Sequence, residues 1–191
     1  MEIMMIDRWL HLLAGVLWIG LLYYFNFVQA PAMAEAAADT EGPGPAAIGK
    51  YVVPRALLWF RWAALVTWLT GAYYLYAAPY YSLHGAFALG IDQNNVALTS
   101  IGIGAWLGTI MLFNVWGLIW PNQKKVLGIV EATDEEKASA KRIAFLASRS
   151  NTAMSIPMLL FMHAAVRGLP FYISMNSARF RRAPLFTHFD R

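Results

Sequence analysis

Two histidines stand out in this chain because of where they fall and what flanks them. His11 and His163 both lie inside long apolar stretches, whereas His84 sits in a polar segment and His188 in the C-terminal tail. Ala14 and Gly15 share the helical face of His11, at i+3 and i+4, and Ala164 adjoins His163. Small residues beside an imidazole leave flat space for a macrocycle. Each histidine also has an arginine one turn nearer the same end of its stretch, Arg8 at i−3 from His11 and Arg167 at i+4 from His163. A b-type haem held between two imidazoles needs this combination: iron in an apolar interior, and propionates directed outward to cations. The same residues fit a plainer arrangement, in which the arginines snorkel to the interface and the histidines find a carbonyl or each other. On a 1.5 Å rise per residue the two histidines differ in depth by roughly 7 Å, which tilted helices can absorb.

Other chemistry has less support. Met154, Met158 and Met162 form a stripe at i, i+4, i+8. Thioethers suit Cu(I), but such a stripe also serves as packing. Asn26, Gln29, Arg61, Asn114 and Asn151 gather toward one end of the predicted helices, as interhelical hydrogen bonds or as the lining of a small-molecule or quinone pocket. No nucleophile–base pair, phosphate-binding glycine loop or carboxylate at membrane depth is present, so proton pumping through buried acids is not expected. The chain has no cysteine, which excludes disulfides, thiolate-held clusters and covalent c-type haem.

The elements that must position these residues are membrane spans. Of the 191 residues 59% are hydrophobic and only 14% charged, and apolar runs at about 9–29, 56–78, 96–120 and 151–173 each approach the ~20 residues a spanning helix needs. The expected fold is all-α: a polytopic four-transmembrane-helix bundle over residues 1–173, with a polar tail over 174–191. The first run has two acids and one arginine before it rather than a basic leader, and reads as a retained helix. Pro31 is expected to end the first helix, residues 30–54 to form a long connection, and Pro121 to follow the end of the third helix. Thr133-Asp-Glu-Glu136 has capping-box spacing and predicts an amphipathic surface helix over 134–148. Pro157 predicts a kink in the fourth span. Gly104 and Gly108 offer a close helix approach, most simply within the chain.

With four crossings, the connections after the first and third spans share one side, termed side B. It carries Lys50, Arg55, Lys124, Lys125, Lys137, Lys141, Arg142 and Arg149, against Arg8, Arg179, Arg181, Arg182 and Arg191 on side A. The positive-inside rule then puts side B in the cytoplasm and both termini outside. The net charge of +4 is of this membrane-flanking kind and does not point to nucleic acid. Phe25-Asn26 and Phe113-Asn114 form a faint internal echo near the side-B ends of the first and third spans.

Four stretches carry a family resemblance: His11 to Gln29, Arg55-Ala-Leu-Leu-Trp-Phe-Arg-Trp62, Met111 to Lys124 with its Phe-Asn-Val-Trp-Gly core, and Ser148-Arg-Ser-Asn-Thr-Ala-Met-Ser-Ile-Pro-Met158. Together they resemble the N-terminal membrane domain of the cytochrome-c-tailed bacterial urate oxidases. A looser similarity, chiefly the first-span histidine followed by Gly and Trp, extends to CopD-like copper-resistance and protoporphyrinogen-oxidase membrane proteins. The family enzyme is longer and ends in a c-type cytochrome, so the resemblance implies the fold and a haem-binding ancestry rather than urate oxidation itself. His11 matches the family's first-span histidine; His163 is not matched to a family ligand. Two expectations follow for a bacterial inner-membrane protein. One is a redox-linked subunit holding haem b through His11 and His163 with Arg8 and Arg167 at the propionates. The other is a cofactor-free accessory subunit packed against a larger membrane complex, respiratory or photosynthetic.

Overall fold

The computed structural model describes residues 2–91 and 95–168. The tail predicted over 174–191, the last residues of the fourth predicted span, and His188 lie outside them. The described residues form five helices: α1 (Glu2–Ala38), α2 (Ile48–Ala77), the short α3 (Leu83–Phe87), α4 (Val96–Val126) and α5 (Asp134–Arg167). Three of these, α1, α2 and α4, are long and apolar enough to cross a membrane.

Two of the predicted helix ends are wrong in the same way. α1 runs past Gln29 and Pro31 to Ala38, and α4 runs past Trp120 and Pro121 to Val126. Proline should end a helix because its ring crowds the carbonyl four residues back. Here each proline stands two residues past the end of a wide, π-helical stretch: Tyr24–Gln29, Ile48–Val52 and Asn114–Ile119 precede Pro31, Pro54 and Pro121. The residue before each proline donates five residues back, Ala30 to Phe25, Val53 to Ile48 and Trp120 to Val115. The widened turn has already opened the i→i−4 ladder where the ring would clash, so the helix continues.

The surface helix is also not a separate element. Thr133 caps α5 as the sequence predicts: its hydroxyl accepts from the Glu136 backbone N–H and the Glu136 carboxylate accepts from the Thr133 N–H. From there one 34-residue helix runs through 134–148 and on past Pro157 to Arg167. Ala140, Ala144 and Ala147 are buried along its first half, which packs against the extension of α4. Small side chains spaced four and three residues apart share one face, which favours this helix-on-helix contact over a helix lying flat in the interface.

Two antiparallel pairs build the bundle. α1 packs mainly on α2 and α4 mainly on α5, with α2–α4 and α1–α5 contacts joining the pairs. Trp18, Leu22, Phe60, Ala64, Met111 and Val115 fill the core where all four meet. The predicted glycine seam and the methionine stripe meet one another. A Cβ on Gly104 would lie 3.1 Å from Met162, and one on Gly108 would lie 3.7 Å from the Met158 sulfur. The glycines thus serve packing within the chain, and two members of the stripe fill the space they leave. α1 and α4 also share more than the Phe-Asn pair. Trp18-Ile-Gly20 and Trp106-Leu-Gly108 stand at identical spacing before Asn26 and Asn114, and a wide turn follows or includes each asparagine.

Candidate functional site

His11 lies on the seam between α1 and α2. Its Nδ1 is 2.9 Å from the Thr67 carbonyl oxygen and 3.1 Å from the Thr70 hydroxyl. A carbonyl can only accept, so Nδ1 carries the proton and Nε2 keeps its lone pair. This is how protein-held imidazoles are oriented toward a metal, with the remote N–H anchored on a carbonyl. The ring lies close against α2 at Gly71; a Cβ at that position would sit 2.9 Å from His11 Cε1 and displace the ring. Thr67 and Thr70 are free to face the ring because their hydroxyls fold back onto the Ala63 and Val66 carbonyls.

One turn nearer the chain start, Asp7, which the sequence shows only as an acid ahead of the first apolar run, is buried. One of its carboxylate oxygens, Oδ2, has no hydrogen-bond partner among the described residues. Arg8 is exposed, with its guanidinium carbon 5.7 Å from the centre of the Tyr74 ring. Tyr74 in turn lies against Tyr81, ring centres 6.0 Å apart, and the Tyr81 hydroxyl is 3.5 Å from the Ala165 carbonyl oxygen of α5. Burial pushes the Tyr81 phenol above its ordinary pKa, with Tyr74 adding to the shift and Arg8 opposing it. His163 and Arg167 occupy the exposed side of α5, while Ala164 and Ala165 beside them are buried. The fold therefore gathers Asp7, Arg8, His11, Tyr74 and Tyr81 at one end of the bundle. It does not turn the His163 ring inward to face His11. Among the described residues no group of three or more His, Asp or Glu side chains could hold a metal ion on its own.

The asparagines expected near the other end divide from Arg61. Asn151 is fully buried; its amide donates to the Met111 carbonyl at 3.0 Å, and its oxygen accepts from Asn114 at 2.8 Å. Asn26 donates to the Ser148 hydroxyl and to the Leu22 carbonyl, both at 2.8 Å. Tyr23 and Ser155 pair at 3.0 Å between them. The wide turns of α1 and α4 thus each aim an asparagine at α5, and the cluster locks the two helical pairs together. Two buried groups on the same helix have no partner among the described residues, the Trp18 indole N–H and the Gln29 side-chain oxygen. Sequence reading found Asn26, Asn114 and Asn151 from polarity at depth. It missed Thr67, Thr70 and Gly71, whose role is visible only once α2 lies against His11.

Comparison with known proteins places these features in one family. The family described as urate oxidase N-terminal matches residues 2–102 and 96–176, two segments that meet at the start of α4. No curated protein and no solved structure matches the chain.

Proposed function

The chain belongs to the urate oxidase N-terminal family, and from that premise we propose that it is a redox-linked, multi-pass membrane subunit that holds a b-type haem at His11. The observation that carries this reading is the Nδ1–Thr67 bond, which leaves Nε2 as the free donor. Haem b would supply one-electron chemistry at that position. The protein's own residues would do the rest. Thr67 and Thr70 hold the imidazole tautomer, Gly71 admits the ring, and Arg8 offers a cation at the membrane edge. His163 and Arg167, the second ligand and second cation expected from the sequence, lie on the exposed side of α5, so the reading rests on His11 and Arg8 and leaves the second axial position without a ligand from the described residues.

The C-terminal half of α5 is proposed as a fourth crossing. It lies against α4 through Met158 and Met162, and from 151 onward Arg167 is the only Lys, Arg, Asp or Glu in its described length. With four crossings the basic connections put side B in the cytoplasm of a bacterial inner membrane and both termini outside.

A second reading rests on the exposed position of His163. If that ring meets a neighbouring subunit instead of haem, the chain is a cofactor-free accessory subunit of a larger membrane complex. A reduced-minus-oxidised absorption spectrum of the purified protein separates the two. Sharp haem b bands that vanish in His11→Ala support the first. A featureless spectrum, with co-purification of a larger complex, supports the second and overturns the haem assignment.

A further inference from the structure

Arg61 projects on the far side of α2 from His11, toward α4. Its guanidinium carbon lies 3.7 Å from the centre of the Trp120 ring, and its backbone carbonyl accepts from the Trp116 indole at 3.2 Å. The Lys124 ammonium stands 6.0 Å from the same Trp120 ring. Stacking occupies the face of the guanidinium and leaves its five edge donors. Among the described residues those donors have no hydrogen-bond partner, and neither Arg61 nor Lys124 is paired with a carboxylate.

One turn along α2 from Arg61, beginning at Leu65, the same two helices form an open apolar groove of about 460 Å³, lined by Leu65, Trp68, Thr109, Leu112, Phe113 and Trp116. Its one hydroxyl, on Thr109, is already taken by the Trp68 indole at 2.8 Å. Trp116 belongs to both parts, and the Trp62 ring packs edge-on against it with ring centres 5.6 Å apart. From Arg61 to the far lining residue Trp68 is roughly 10 Å along α2. Cations at its side-B mouth and an apolar floor running toward mid-membrane complement an amphipathic anion.

We propose that this surface is a binding site for an anionic phospholipid of the side-B leaflet. The phosphate sits at the Arg61 edge and near Lys124, and one acyl chain lies in the groove between α2 and α4. Basic positions between membrane helices are suited to anionic headgroups, and the groove joined to Arg61 through Trp116 distinguishes this site from a lone snorkelling arginine. The proposal does not depend on the haem reading.

The test is native mass spectrometry of the full chain in mild detergent, with dioleoylphosphatidylglycerol or dioleoylphosphatidylcholine added at equal concentration. The anionic lipid should be retained preferentially, and millimolar inorganic phosphate should not displace it. Arg61→Gln should weaken its retention about tenfold, as expected for loss of a charged hydrogen bond, and leave phosphatidylcholine unchanged. Thr109→Phe, which fills the groove, should weaken it as well. Circular dichroism checks that each variant keeps its helices. If Arg61→Gln fails to fold, Lys124→Gln at the rim should still cost about fivefold. Equal retention of both lipids, displacement by phosphate alone, or anionic binding unchanged in the folded variants would each overturn the proposal.

Discussion

His11 shows how much of a residue's chemistry is set by its neighbours. An imidazole in an apolar helix has two equivalent options for its proton; the Thr67 carbonyl removes one. Gly71→Ala is expected to push the ring by a few tenths of an ångström, because the new Cβ would meet Cε1 at 2.9 Å. Under the haem reading that variant should shift the absorption bands without removing them, whereas His11→Ala removes them; identical spectra for wild type and Gly71→Ala would show that ring placement is unimportant. Asn151 makes the opposite case, a polar residue whose partners are all internal. A single interhelical hydrogen bond in a membrane averages about 0.6 kcal/mol. Asn151→Ala, however, strands the Asn114 amide in a buried site and removes the donor to Met111. The expected loss is about 1–3 kcal/mol, measured by unfolding in detergent.

At the scale of elements, the glycines of α4 differ in what they face. A Cβ on Gly104 would press on Met162, a flexible side chain that can give way. A Cβ on Gly102 would overlap the Ala86 carbonyl of α3, which is backbone and cannot. Gly102→Ala should therefore cost about 1–3 kcal/mol, and Gly104→Ala distinctly less, in the same unfolding assay. Equal costs would mean that α3 shifts as readily as a methionine. The start of α5 gives a pH prediction. The Glu136 carboxylate accepts from the Thr133 backbone N–H and stands 3.7 Å from Lys125, and these hold its pKa below the ordinary 4.5. Glu135 is lowered too, by its own backbone N–H and the Thr133 hydroxyl. A carboxylate depressed in the folded state stabilises above its unfolded pKa and loses that contribution as pH falls through the folded value. Amide exchange in the first turn of α5, corrected for intrinsic rate, should accelerate below about pH 4.5 and stay constant between pH 6 and 8.

For the whole molecule, the helical pairs are the natural units. α1 with α2 and α4 with α5 each form an antiparallel hairpin, and the two segments matched by the family divide close to that boundary. Both hairpins open with the same Trp-x-Gly and Phe-Asn spacing and both widen at that point. Four crossings would return the chain to the side on which it began. A reporter fused after Arg191 should then be active only outside the cytoplasm, and cytoplasmic activity would refute both the orientation and the even count.

Composition and the lengths of the apolar runs were enough to establish membrane helices, because lipid admits few alternatives to a helix with every backbone group paired. Motifs alone were enough to identify the family. Local chemistry also placed the Thr133 cap, since capping depends on residues three apart, and the apolar run placed the start of α4, where the structure adds Asn95 accepting from the Ala97 and Leu98 N–H groups. Three things depended on tertiary structure. The prolines at 31 and 121 read as helix ends, and only the wide turns before them let the helices continue. Residues 134–148 read as a surface helix, and only the partner surface of α4 gave the alanine face something to pack against. His11 read as a ligand, but the position of its proton depends on Thr67 of α2, more than fifty residues away. Such contacts leave no periodicity in the sequence, because the residues that decide them lie on different helices.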